Sequence, residues 1–293
     1  MRNKIQRKFV LGDKWLYYKI YCGPKTVDSI LVNEISNILD ELFRTGIIDK
    51  FFFIRYFDPD SHLRIRFHMN DIENLNTIVQ LIKEKLKYYI DKRIVWNISV
   101  DAYNREIERY GNTTIEEVET LFYFDSLAIV YFLKEIEDDS TDDIRWYWGI
   151  KCMDLMLDNF GFSIVDKEIF YGNLSMNFSK EFNIDKHLRI QLDKKYRSEV
   201  GQLEKVLSSN EKDIIIGIKH ILWYMKKAKP VIQIILMLLK NEKEDLHVNK
   251  ILASLMHMHF NRLFNTKQRS HEFVIYYFLH KYYKSEVAKI KYN

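Results

Sequence analysis

The chain has 293 residues, 47% of them hydrophobic and 15% aromatic, enough apolar material for one large domain or two modest ones, which excludes general disorder. A formal net charge of +4 with 29% charged residues is too weak a bias to argue nucleic-acid binding. With 3 prolines and 9 glycines there is no low-complexity linker, and the 2 cysteines, Cys22 and Cys152, make neither a metal spacing nor a disulfide framework, which fits a reducing, intracellular setting.

WLYYKIYC, Trp15 to Cys22, is aromatic and β-branched and predicts a strand. A helix is expected from Pro24, carrying Ile30, Leu31, Ile35, Ile38, Leu39 and Leu42 at helical spacing and stopped by Gly46. FFFIRYF, Phe51 to Phe57, reads as a second strand, and the turn chemistry of Asp58 to Ser61 folds it back into HLRIRFHM as a hairpin. A helix from about Asp71 to Ile90 and a strand over Ile94 to Tyr103 complete a β-α-β-β-α-β order. That order predicts an α+β fold, with a ferredoxin-like, four-stranded antiparallel sheet bearing two helices on one face.

From Thr114 onward the pattern is mostly helical. It runs through IEEVETLFYFDSLAIVYFLKEI, a turn-like DDSTDD and WYWGIKCMDLMLDNFGF, then helices near 186–207, 212–225, 230–239, 245–264 and 270–289. VIQIILMLL, Val231 to Leu239, is too short to span a bilayer, and the amino-terminal segment lacks an apolar signal region. The reading is a cytoplasmic protein with a sheet-containing part over 1–112 and a helical part over 113–293. The two are expected to form one catalytic unit with its site at their seam.

Three constellations stand out. In HLRIRFH, period-2 alternation puts His62, Arg64, Arg66 and His68 on one strand face and Leu63, Ile65 and Phe67 on the other. Side-by-side guanidinium groups hold a carboxylate or a developing oxyanion well, with Arg55 across the hairpin as a further member, although charged rows are more often simply solvated. In YNREIERYGN, Arg105 and Arg109 align if the segment is helical, and Glu106 and Glu108 are placed to pair with them. In SLMHMHFNRLF, His257 and Asn261 share a helix face at i and i+4 while His259 points away. A lone histidine in an apolar helix is more often a satisfied core residue, and the H-x-H spacing is a weak metal signal on a helix. No phosphate-binding loop, dinucleotide fingerprint, nucleophile elbow or H-E-x-x-H motif occurs, so no cofactor or metal is expected.

Taken together, WLYYKIYCG, FFFIRYFDPDSHLRIRFH, DAYNREIERYG with LFYFDS, and SLMHMHFNRLF resemble, in order and type, the carboxy-terminal elimination domain of lantibiotic dehydratases. Related domains are also free-standing proteins of thiopeptide pathways. The match runs from about Trp15 to Phe264, with no recognisable motif between about Phe160 and Lys243. Asn112 and Asn265 stand where the family commonly has glycine, and asparagine tolerates the left-handed backbone such turns need.

The resemblance implies a lyase that expels glutamate from glutamylated Ser or Thr of a ribosomally made precursor peptide, leaving dehydroalanine or dehydrobutyrine. It implies a separate tRNA-dependent glutamylating protein as partner, the nucleic acid belonging to that partner, and leaves open whether the chain is a homo-oligomer. Arg64, Arg66, Arg105 and His257 are the implied catalytic set, with Arg55, Arg109, Tyr110, Asn261 and Arg262 around the substrate. Thiopeptide cyclases, which join two dehydroalanines in a formal [4+2] addition, share the scaffold and give the second reading. A noncatalytic peptide-binding scaffold is the third.

Overall fold

The computed structural model describes residues 5–136, 142–211, 213–240 and 248–292. Packing divides the chain into two compact units, one of Met1–Glu135 with Met237–His247 and the other of Ile136–Leu236 with Val248–Asn293.

The first unit opens with a short strand β1 (Lys8–Phe9) and the long β2 (Trp15–Cys22). Gly23 and Pro24 turn the chain into α1 (Pro24–Ser29), which passes through a π-helical stretch, Ile30–Ile35, into α2 (Ser36–Arg44). Gly46, at φ 68°, ends that helix as expected. Next come β3 (Ile48–Phe57) and β4 (Ser61–Met69), joined by Asp58, Pro59 and Asp60. A 3-10 turn, Ile72–Asn74, leads into α3 (Leu75–Asp91), with the Asp71 carboxylate accepting the Glu73 N–H. The last elements are β5 (Val95–Asp101), β6 (Tyr103–Asn104), α4 (Ile107–Tyr110) and α5 (Ile115–Glu135).

The sheet order is β3-β4-β2-β5, antiparallel throughout, while β1 and β6 form a separate two-stranded ribbon. The period-2 reading of β4 holds. Leu63, Ile65 and Phe67 are fully buried and pair in register with Arg55, Phe53 and Phe51. Helices cover this face: Phe43 of α2 meets Phe51 edge-on, and Asp28 of α1 pairs with Arg55. Fully burying each such aliphatic or aromatic side chain contributes about 1.5–3 kcal/mol, so this face fixes the register of the whole sheet.

The second unit is helical, with α6 (Asp142–Asn159), α7 (Ile164–Glu181), α8 (Lys186–Ser208), α9 (Ile218–Lys240, counted in this unit as far as Leu236), α10 (Val248–Leu263) and α11 (Gln268–Tyr292). α7 and α11 pack through stacked rings, Tyr171 on Tyr283 and Phe178 on Phe273. α6 approaches α10 closely at Gly149, where a Cβ would lie 2.8 Å from the Leu263 side chain.

Helices expected at 212–225 and 230–239 are instead the single α9 with Pro230 inside it, residues 213–217 forming turns and Lys212 lying outside the described residues. An interior proline costs about 3 kcal/mol. Here the buried stripe of Ile221, Tyr224, Ala228, Ile232 and Ile235 runs through the proline and offsets that cost. Residues 138–141 of the expected DDSTDD turn and 245–247 of the expected 245–264 helix also lie outside the described residues. Among the described residues no helix is long and apolar enough to cross a membrane.

Candidate functional site

The candidate groups fall into two clusters, one in each unit. In the first unit the face of the sheet opposite α1 and α2 carries His62, Arg64 and Arg66 on β4, flanked in register by Tyr21, Lys19 and Tyr17 on β2 and by Tyr56, Ile54 and Phe52 on β3. The aromatic positions alternate with the cations, so each guanidinium finds a ring. Arg64 lies 3.4 Å from the Tyr56 ring centroid. Arg66 is set among Tyr17 at 4.1 Å, Tyr103 at 4.8 Å and Phe52 at 5.0 Å. Such contacts contribute about 0.5–2 kcal/mol each.

Arg64 is held at its inner end as well. Its Nε–H donates to His62 Nε2 at 2.9 Å, and His62 Nδ1–H donates in turn to the Asp60 carbonyl at 2.8 Å. That arrangement requires a neutral His62, and burial, chiefly, holds the imidazole below its ordinary range, with the Arg64 charge adding to the effect. Lys19 stands beside Arg64 and pairs with Asp101, whose carboxyl its hydrogen bond holds below the usual range. The row is therefore partly enclosed and ring-lined rather than simply solvated.

Arg105 sits differently. Its Nε and Nη2 donate to both oxygens of the buried Glu119 at 2.8 and 2.7 Å, and its Nη1 donates to the Gln6 carbonyl at 3.1 Å. Tyr103 O–H also donates to Glu119, at 2.8 Å. Arg105 thus supports the ring that faces Arg66, and its own charge is answered by a carboxylate.

Several expected neighbours lie elsewhere. Arg55 pairs with Leu63, so period-2 geometry puts it on the helix-covered face with Asp28, away from Arg64 and Arg66. Arg105 precedes the four-residue α4 that contains Arg109, so the two do not align, and Arg109 pairs with Glu106 at the surface. Tyr110 is buried with its ring edge against Phe122, inside the core rather than facing a substrate.

In the second unit, α10 brings His257 and Asn261 together as the i, i+4 spacing requires, with Asn261 Nδ2 3.0 Å from His257 Nε2. His259, on the other side, is buried and stacked on Trp148. Arg262 is fully enclosed, which removes it from direct contact with a peptide. The partner that sequence spacing did not reveal is Glu272 on α11. It is 2% exposed on its side chain and accepts from His257 Nδ1–H at 2.9 Å, from Tyr276 O–H at 2.9 Å and from Arg269 at 3.1 Å. Arg269 is fixed by Glu181 and by the Phe178 ring. A buried carboxylate on Nδ1 sets the tautomer and leaves the Nε2 lone pair to accept from Asn261 Nδ2–H, a carboxylate-oriented imidazole of the kind used in proton transfer.

The sequence profile described as "Lantibiotic biosynthesis dehydratase C-term" matches residues 15–283. The chain belongs to this dehydratase C-terminal family. Members with curated descriptions include the subtilin biosynthesis protein SpaB of Bacillus subtilis, 24% identical over 95% of this chain, and the nisin biosynthesis protein NisB of Lactococcus lactis subsp. lactis, 27% identical over 97%. The chain spans only 26% and 27% of those two proteins, about a quarter of their length. Family likeness extends to solved folds. The tRNA-dependent lantibiotic dehydratase MibB of Microbispora sp. 107891 superposes with a TM-score of 0.68 at 18% identity, over 96% of this chain and 29% of that one. The pyridine synthase TbtD from thiomuracin biosynthesis superposes with a TM-score of 0.71 at 11% identity, over 93% of this chain and 98% of that one.

Proposed function

We propose that this chain is a glutamate-eliminating lyase of lanthipeptide, thiopeptide or related peptide biosynthesis, acting on glutamylated Ser or Thr of a ribosomally made precursor peptide. Its sheet is read as a ferredoxin-like, split βαβ arrangement, supported by the β3-β4-β2-β5 order. The observation that carries the functional reading is Arg64. Its guanidinium is fixed by His62 and the Tyr56 ring, and among the described residues no carboxylate is paired with it.

Elimination removes the Cα proton, forms the Cα–Cβ double bond and breaks the Cβ–O bond, releasing glutamate as a carboxylate. Negative charge builds on the neighbouring carbonyl and on the leaving group, and fixed cations in a water-poor, ring-lined site stabilise both. Arg64 and Arg66 take this role, beside the Lys19 and Asp101 ion pair. Arg105 is a positioning residue through Glu119 and Tyr103. His257, oriented by Glu272, moves the proton at Nε2. Glutamyl transfer belongs to a separate tRNA-dependent activity.

Incubation with a peptide carrying a glutamyl-Ser ester is expected to release free glutamate and lower the peptide mass accordingly. Intact ester after prolonged incubation would sink the reading. The TbtD likeness over nearly the whole of both chains favours a second reading, a cycloaddition of two dehydroalanines. Macrocycle formation from an already dehydrated peptide would select it.

A further inference from the structure

The four-stranded sheet has two edges, and the chain treats them differently. β3 carries Asp49, Lys50 and Arg55 and has a register shift between Ile48 and Lys50. Helix α5 covers it, the Phe53 N–H donating to Ser126 Oγ at 3.2 Å. Charges, irregularity and a covering element are the devices by which sheets avoid pairing with other chains. β5 lacks most of them. Its sequence VWNISVD has one charge, Asp101 at the last position, and no proline. Its outer edge pairs with no strand among the described residues.

The single irregularity of β5 lies at its start, where Tyr21 pairs with Asn97 and Cys22 with Val95, leaving Trp96 as the extra residue. From Asn97 to Asp101 the strand is regular, and its large side chains Trp96 and Val100 are 52% and 39% exposed. A regular edge with a single charge and no strand on it among the described residues is a template for an extended peptide. Backbone N–H and C=O groups supply affinity, and alternate side chains supply selectivity.

Register ties this edge to the cationic face. Ser99 pairs with Lys19, and Lys19 pairs with Arg64, so the three form one row across the sheet. A strand added to β5 sets the residue opposite Ser99 at the end of that row, its side chain on the same face and its backbone two strand spacings, roughly 10 Å, from Lys19. An acidic group on that side chain is then directed along the row towards Arg64, Lys19 being already paired with Asp101.

We propose that β5 is the docking edge for the substrate peptide, which adds as a fifth strand with the residue opposite Ser99 directed onto the Lys19 and Arg64 row. The inference rests on the reading of this chain as a peptide-modifying enzyme, and its test is independent of turnover. The probe is a synthetic peptide of about ten residues, in the range of an ordinary strand, carrying a central glutamyl group through an amide in place of the reactive ester. With the full chain, the probe is expected to slow amide hydrogen exchange across 97–101 by at least about tenfold, as a newly paired strand does. N-methylation of alternate probe amides is expected to abolish that protection.

Replacing the exposed Trp96 and Val100 by lysine, Trp96→Lys with Val100→Lys, installs the guard that natural edges carry. It is expected to raise the probe Kd, and KM for the ester peptide, by at least about tenfold with kcat within about twofold, the signature of lost uniform binding. Protection confined to other segments, or an unchanged Kd in the doubly substituted chain, overturns the proposal. Glutamate release without β5 protection defeats the docking edge and leaves the elimination reading standing. Protection of β5 with ester left intact supports the edge and defeats elimination.

Discussion

Two clusters of buried or half-buried cations answer their charge in opposite ways. In the helical unit the Lys167 ammonium is shared between Asp154 and Asp158, both at 2.7 Å, and donates also to the Tyr283 hydroxyl oxygen at 3.3 Å. Burial is strong enough there that the Asp154 carboxyl is held above its usual range despite its cation. On the sheet, Arg64 is fixed by a ring and a neutral imidazole. A cation matched by carboxylates is a structural tie, because a further anion must compete with partners already in place. A cation matched by π-faces is held equally still and keeps its attraction for an incoming carboxylate.

The contrast is tested hardest at Glu119, the carboxylate that separates Arg105 from the ring-faced arginines. Glu119→Ala leaves the buried Arg105 guanidinium without its bidentate partner, and unfolding in urea is expected to show a loss of about 3–5 kcal/mol. Glu119→Gln, which keeps an acceptor, is expected to recover part of it. If Glu119→Ala is as stable as the parent, Arg105 is not structural in the sense argued here.

Arg64→Ala is expected to show the reverse balance. Stability changes by less than about 1 kcal/mol, while elimination falls by about a hundredfold to a thousandfold, the effect of removing one fixed donor to developing charge. Arg64→Lys keeps the charge but not the planar face on Tyr56 and is expected to recover only a fraction. A stability loss that accounts for the whole activity loss would return Arg64 to the structural class of Lys167.

Glu272 lies between these extremes, since it is buried and hydrogen-bonded yet acts through another residue. Glu272→Gln is expected to lower elimination by about tenfold to a hundredfold with KM little changed, the range for weakening a general acid or base. Nitrogen chemical shifts of His257 give the independent reading. The parent is expected to show the Nδ1–H form and the variant a tautomer mixture, and an unchanged tautomer in the variant would remove Glu272 from its positioning role.

The strand and helix order of the sheet was legible because period-2 and 3.6-residue patterns report which face is buried, and burial decides the elements. What escaped has local physical causes. β1 and β6 are two residues each and carry no period. α7 went unread although Ser163 and Asp166 form a reciprocal capping box, because its apolar residues spread around the helix instead of forming a stripe. α9 was divided at Pro230 because a proline reads as a break until the buried stripe through it is known. In the site, the face shared by Arg64 and Arg66 followed from spacing, as did the His257 and Asn261 pair. Glu272 and Glu119 were not legible as partners, since they come from helices whose packing no spacing encodes, and Arg55 was misplaced because a hairpin register must be known before cross-strand faces can be assigned.

The smallest expected effect concerns the imidazole that holds Arg64. His62 accepts the Arg64 Nε–H only while neutral, and in the fold its pKa lies below the ordinary 6.5, chiefly through burial. Between those two values the unfolded chain binds a proton that the folded chain refuses, so stability rises with pH across that window. The contribution is complete above about pH 6.5 and is lost as pH falls towards the folded value. His280, also lowered by burial, adds to the same slope. His62→Gln, which keeps a neutral acceptor and cannot titrate, is therefore expected to flatten the stability profile below pH 6.5 without erasing it. The elimination rate of that variant is expected to lose part of its fall on the acid side, since Arg64 no longer loses its anchor there. An identical pH profile in parent and His62→Gln would show that the arginine is held by Tyr56 alone, and would shift its positioning from the hydrogen-bond chain to the ring.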